Sequence, residues 1–196
     1  MLLNEDKNTM LRRELTEGTI ETVAALGLEN TTTNAICKTC GVNVAYIYRF
    51  FSDKEDLIAK SFADADRRFL EVILDNYTVL NYESIDYESR CHVLFMKHPA
   101  ELTFYVRYYY SSSFQKYAYK EHMERYIGLF EKMKTAFPAT TDVRLVMHHI
   151  LDTLLGEAMK QVSNPKEDSN TAATKTFFLI FSVVKSYVNK DKLSRA

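Results

Sequence analysis

Three sets of side chains in this chain have the types and spacing to do chemistry. Cys37-Lys38-Thr39-Cys40 is a CxxC, the spacing of half a zinc site or of a redox pair. A structural zinc ion takes four ligands, and the one other adjacent Cys/His pair, Cys91-His92, falls in a different expected helix. The two cysteines are therefore read as small buried side chains, with a redox switch as the alternative. His92, His98, His122, His148 and His149 are scattered without a metal-ligand pattern. A Gly-rich phosphate loop, a nucleophile elbow and paired carboxylates at helical ligand spacing are all missing. The expectation is a protein that is not an enzyme and takes no metal or cofactor.

The second set is aromatic. Phe104-Tyr105-Val106-Arg107-Tyr108-Tyr109-Tyr110 is followed by Phe114, Tyr117, Tyr119 and Tyr126. Tyrosine carries a large apolar face and a hydroxyl that needs a partner when buried. Half or more of these rings suit core and interface packing. The alternative is an effector cavity between helices, mostly apolar with a few polar tips. Phe62, Phe104, Tyr105, Tyr108, Tyr109 and Tyr126 would line it, and Arg107 and His122 would orient an anionic or aromatic ligand.

The third set is the stretch TTNAICKTCGVNVAYIYRFFSDKEDL, residues 32–57. It reads as helix, tight turn, short helix and then a capped longer helix, the layout of a helix-turn-helix. Gly41 suits the turn, and Ile36 and Val42 suit the apolar pins between the two helices. Asn43, Val44 and Tyr46, at the start of the second helix, would face base edges. Tyr48 could hold a phosphate oxygen through its hydroxyl. Lys54 opens the next helix, where free N–H groups already favour a phosphate. Charge is a mark against DNA: residues 1–60 hold seven Lys/Arg and nine Asp/Glu. Only locally, over residues 32–54, does the balance turn positive, with Lys38, Arg49 and Lys54 against Asp53.

The segment GVNVAYIYRFFSDKEDL resembles the signature of TetR-type transcriptional regulators. Gly41, Val42, Ile47, Tyr48, Phe51, Lys54, Glu55 and Leu57 match in register, and Ile36 fits the preceding helix. The resemblance implies phosphate contacts at Thr33, Tyr48 and Lys54. It implies base-proximal positions at Asn34, Val44, Ala45 and Tyr46; Asn43 and Arg49 complete the DNA-facing set. Val44 is apolar and Tyr46 large where the family has small polar readers. Thymine-methyl contact and a Tyr hydroxyl bond are then the chemistry on offer. The family resemblance further implies a palindromic double-stranded DNA operator, a small-molecule effector, repression rather than activation, and a homodimer formed through the last two helices.

The elements that must position these residues are helices. Three prolines, five glycines and no Trp in 196 residues leave long uninterrupted runs. Helices are expected over residues 9–26, with Gly27 as the stop, 32–40, 44–51 with Asn43 as the cap, and from 53 onward behind a Ser52/Glu55 capping box. Residues 76–84 read as a connection. Further helices are expected over 85–97, 99–110, 114–136, 141–162 and 169–189, making about nine. The fold class is all-α. Residues 1–52 are the expected DNA-docking domain, and 53–196 the expected effector-binding and dimerisation domain. Leu145, His149, Gly156, Phe177 and Phe181 are the expected subunit contacts, because the apolar block 177–184 is wider than one buried face needs.

No run is long and apolar enough to span a bilayer, and MLLNEDKNTM lacks the basic and apolar regions of a signal peptide. Three cysteines without framework spacing fit a reducing cytoplasm. The rival reading is a helical small-molecule-binding or protein-interaction protein whose helix-turn-helix no longer reads DNA.

Overall fold

The computed structural model describes residues 2–74 and 97–188, and among them every regular element is a helix. The connection expected over 76–84, and the helix expected over 85–97 except its last residue, lie outside the described residues. So do Cys91 and His92. The chain forms two compact units, Met1–Arg67 with Thr103–His122, and Arg68–Leu102 with Met123–Ala196.

In the first unit, α1 is Leu2–Leu26. It starts earlier than expected because nothing in residues 2–8 breaks a helix. Gly27 ends it in the left-handed region at φ 82°, its N–H donating to Val23 O at 2.9 Å. Buried Thr19 and Thr22 satisfy their hydroxyls on their own helix, at Leu15 O and Gly18 O. Helix α2, Thr33–Cys40, is capped by the Thr32 hydroxyl, which accepts from Ala35 N–H. Gly41, at φ 70°, closes it and turns the chain. Helix α3 is Ala45–Phe50, with the Asn43 side chain accepting from Ala45 N–H at 2.9 Å.

Helix α4, Lys54–Leu74, starts on a box shifted by one residue from the expected one. Asp53 Oδ1 accepts from Asp56 N–H at 2.8 Å, and Asp56 Oδ2 accepts from Ser52 N–H at 3.0 Å. A carboxylate is a stronger acceptor than a hydroxyl and also favours the positive helix end, so Asp53 takes the cap from Ser52. Glu55 is left beside Lys54 Nζ at 3.4 Å.

These helices enclose Leu15, Ile36, Cys37, Ile47, Phe51 and Leu57. Cys40, Val42, Val44, Tyr46 and Phe50 pack partly against that core.

Helix α5, Pro99–Tyr109, has Pro99 in its first turn as expected. The helix expected over 114–136 is two, α6 Ser112–Tyr117 and α7 Tyr119–Lys134, separated at buried Ala118. Both Phe114 and His122, on either side of that break, reach Phe62.

In the second unit, α8 is Val143–Ser163 and α9 is Ser169–Val184. Asp142 and Asp168 cap them, each accepting two backbone N–H groups. The two helices pack on each other. Val146, Met147, Ile150, Leu154 and Leu155 on α8 are buried, as are Ala173, Thr176, Phe177, Ile180 and Val184 on α9. No helix among the described residues is long and apolar enough to cross a membrane.

Candidate nucleic-acid interface

Helix α3 is six residues long, so it has one face for the core and one for solvent. Ile47 is fully buried, and Val44 and Phe50 lie partly against the core one turn to either side. The outward row is therefore Ala45, Tyr48 and Arg49, all exposed, with Asn43 exposed before it. Tyr48 is 61 % exposed, which removes it from the core aromatics. The Arg49 guanidinium sits over the Phe50 ring at 5.5 Å and stays at the surface. On α2, Asn34 is exposed and Thr33 half-buried.

Two expected base readers are drawn back. Val44 is half-buried against the head core, and Tyr46 is half-buried with its ring stacked on Phe50 at 6.4 Å. Val44 lies three residues before Ile47 and so shares its inward face. Lys54 is also engaged: its ammonium donates to Thr31 O at 3.1 Å, bracing the α1–α2 corner.

The cysteines are spent on packing. Cys37 is buried, and the Cys40 thiol donates to Glu14 O at 3.3 Å. Burial, helped by the neighbouring Cys37, Glu14 and Glu21, pushes the Cys40 thiol up to about 11. At neutral pH both are thiols rather than the thiolates that redox chemistry and metals need. Among the described residues no three of His, Cys, Asp and Glu gather as a metal-holding group.

The expected effector set divides. Phe62 is the centre of a packed cluster in the first unit. The rings of Tyr105, Tyr108, Phe114 and His122 lie 4.7, 5.1, 5.3 and 6.1 Å from it. Phe104 stacks on Tyr108, and Tyr109 on Tyr105. Asp66, one turn beyond Phe62 on α4, was not legible as part of this cluster. It is wholly buried and accepts from Tyr105 Oη at 2.7 Å, with His122 Nδ1 at 3.0 Å. A carboxylate four residues from an aromatic was the available signal. The Tyr108 hydroxyl is buried without a hydrogen-bond partner, and burial raises its pKa.

Arg107 is not in that cluster. Two residues from Tyr105 along a helix turns it about 200° away, so it is exposed and reaches α1, donating to Val23 O and Ala24 O. Tyr126 belongs to the second unit, beside Phe130.

The expected subunit contacts also divide. Leu145, His149 and Gly156 share one exposed face of α8. Phe177 faces inward on α9 and Phe181 is half-buried, because 173, 176, 177, 180 and 184 form the inward stripe. The outward apolar row is Phe178, Leu179 and Val183.

A helix-turn-helix head with an exposed row on its second helix, together with further long helices, defines an all-helical protein of the helix-turn-helix class. The sequence profile described as bacterial regulatory proteins, tetR family, matches residues 15–60, which span the core of that head. Among curated proteins no match is found. Solved structures share the fold. A TetR family transcription regulator from Marinobacter aquaeolei VT8 is 15 % identical with TM-score 0.79, over 97 % of this chain and all of that one. A TetR-family regulator from Shewanella sp. PV-4 is 15 % identical with TM-score 0.76, over 91 % and 98 %. FadR from Bacillus subtilis, solved with stearoyl-CoA, is 20 % identical with TM-score 0.66, over 87 % and 97 %. Residues 15–60 thus match the tetR-family profile, and the chain as a whole has the fold of these solved TetR-family structures.

Proposed function

We infer that this protein is a ligand-responsive DNA-binding regulator, a repressor that docks on a palindromic operator as a homodimer in the cytoplasm. The observation that carries the reading is the exposed row Asn43, Ala45, Tyr48 and Arg49 on a helix whose other face is pinned by Ile47. Two such rows must be spaced about 34 Å apart to meet successive major grooves, which calls for a second subunit. Leu145, His149 and Gly156 on α8 with Phe178, Leu179 and Val183 on α9 are the surface available for it.

A small-molecule effector acts by favouring an arrangement of the two heads that does not fit DNA. Weakening operator binding a hundredfold takes about 2.7 kcal/mol of differential affinity. Helix α4 is the natural lever, since it begins beside the reader helix at Lys54 and carries Phe62 and Asp66. That FadR was solved with stearoyl-CoA supports a small-molecule effector in this fold and leaves its chemistry here open.

The test is fluorescence anisotropy on a duplex selected by the protein from a random DNA library. Affinity that falls steeply with salt, Tyr48→Phe weakening all sites alike and Asn43→Ala altering sequence preference support the reading. The negative balance of residues 1–60 favours the second reading, a ligand-binding or interaction protein without DNA function. Recovery of no duplex from the library would establish that one.

A further inference from the structure

The last turn of α1 contains no cation of its own. A helix C-terminus presents unpaired carbonyls and partial negative charge, and it is commonly met by a Lys or Arg from the same turn. Here the cation comes from 83 residues away. Arg107 Nη1 on α5 donates to Val23 O at 2.8 Å and to Ala24 O at 2.9 Å. The rest of the corner is closed locally. Asn30 Nδ2 donates to Leu26 O and the Thr31 hydroxyl to Gly27 O, while Thr31 O in turn accepts from Lys54. The α1–α2 corner thus hangs between two cations, Lys54 from α4 and Arg107 from α5.

Arg107 is exposed, so its fixed position does not serve core packing. Its neighbours hold α5 itself in place. Tyr105 bonds Asp66 of α4, and Tyr108 packs on Phe62 of α4. One turn of α5 therefore grips α4 with its inward side and α1 with its outward side.

We propose that Arg107 is a positioning residue for DNA docking. By holding the C-terminal end of α1, it fixes the corner from which α2 and α3 are presented, and it makes α5 a second route, beside α4, by which a shift in the helices changes DNA affinity. This rests on the DNA-docking reading above.

The experiment compares the full-length wild type with Arg107→Ala, Arg107→Gln and Arg107→Lys on the library-selected duplex. It measures affinity against salt, melting temperature and amide hydrogen exchange. Arg107→Ala and Arg107→Gln weaken binding roughly tenfold, within the usual range of coupling between sites. The salt slope stays constant, because no phosphate contact is lost. Exchange quickens at residues 24–31 while the melting temperature holds within a few degrees, and Arg107→Lys recovers part of the affinity. Unchanged affinity with normal wild-type binding overturns this proposal alone. So does a salt slope shallower by about one, which makes Arg107 a direct phosphate contact. Loss of affinity that only tracks global melting, or that comes with unaltered exchange at 24–31, overturns it too. A wild type that binds no duplex removes the docking reading and this role together.

Discussion

Cys40 Sγ occupies the place a side chain on Gly18 would need: a Cβ built there would meet it at 2.1 Å. Glycine in mid-helix costs about 1 kcal/mol against alanine. Here it allows α1 and α2 to approach closely, and the thiol that fills the gap bonds Glu14 O.

Gly18→Ala should therefore destabilise the fold by about 1–3 kcal/mol through overpacking. Cys40→Ala removes the sulfur and leaves its own Cβ at an ordinary contact distance of 3.5 Å. In the Cys40→Ala background the same Gly18→Ala change should become neutral or stabilising by up to about 1 kcal/mol. Urea unfolding of the double-mutant cycle measures the coupling, and additive effects would refute the clash.

The same thiol predicts a pH dependence. Its folded value is about 11 against an ordinary 9.0, so between these values the folded state binds more protons than the unfolded one. The contribution is intact below about pH 9 and is lost as pH rises through 11. Stability should fall across that window, and Cys40→Ala should flatten part of the slope.

Asp66 should be a keystone of the first unit. Asp66→Ala strips partners from the Tyr105 hydroxyl and His122 together and should cost about 3–5 kcal/mol. Tyr105→Phe, which removes one bond, should cost about 1–3 kcal/mol. Denaturant midpoints rank the two, and equal costs would mean the carboxylate is held by something else.

At the start of α4, Asp53→Ala should lower stability by about 1 kcal/mol, whereas Ser52→Ala should stay within about 0.5 kcal/mol. The opposite ranking in thermal unfolding would restore the box to Ser52.

On α9, neighbours should behave differently. Phe177→Ala opens a cavity and should cost about 3–5 kcal/mol. Phe178→Glu and Leu179→Glu should leave the fold intact and, with the subunit contact proposed here, give a monomer by sedimentation. A dimer persisting in both would move the interface off this face.

Much of the head was readable from local chemistry. Gly41 and Asn43 act within a few residues of themselves, as does Pro99 in α5, so their turns and caps follow from residue type. Helix ends and caps failed where two local candidates competed, as at Ser52 and Asp53, or where no local marker existed, as at the Ala118 break.

Residue types and spacing were enough to give the all-helical class, the helix-turn-helix segment at 32–57 and its resemblance to the tetR-family profile, because helix periodicity, capping and a tight turn are short-range effects. Direction and partnership came only with the packed chain. That Val44 turns toward Ile47, that Arg107 leaves the tyrosines to hold α1, and that Asp66 joins Tyr105 to His122 all depend on which helices meet. Those meetings join residues tens of positions apart, and no local rule specifies them.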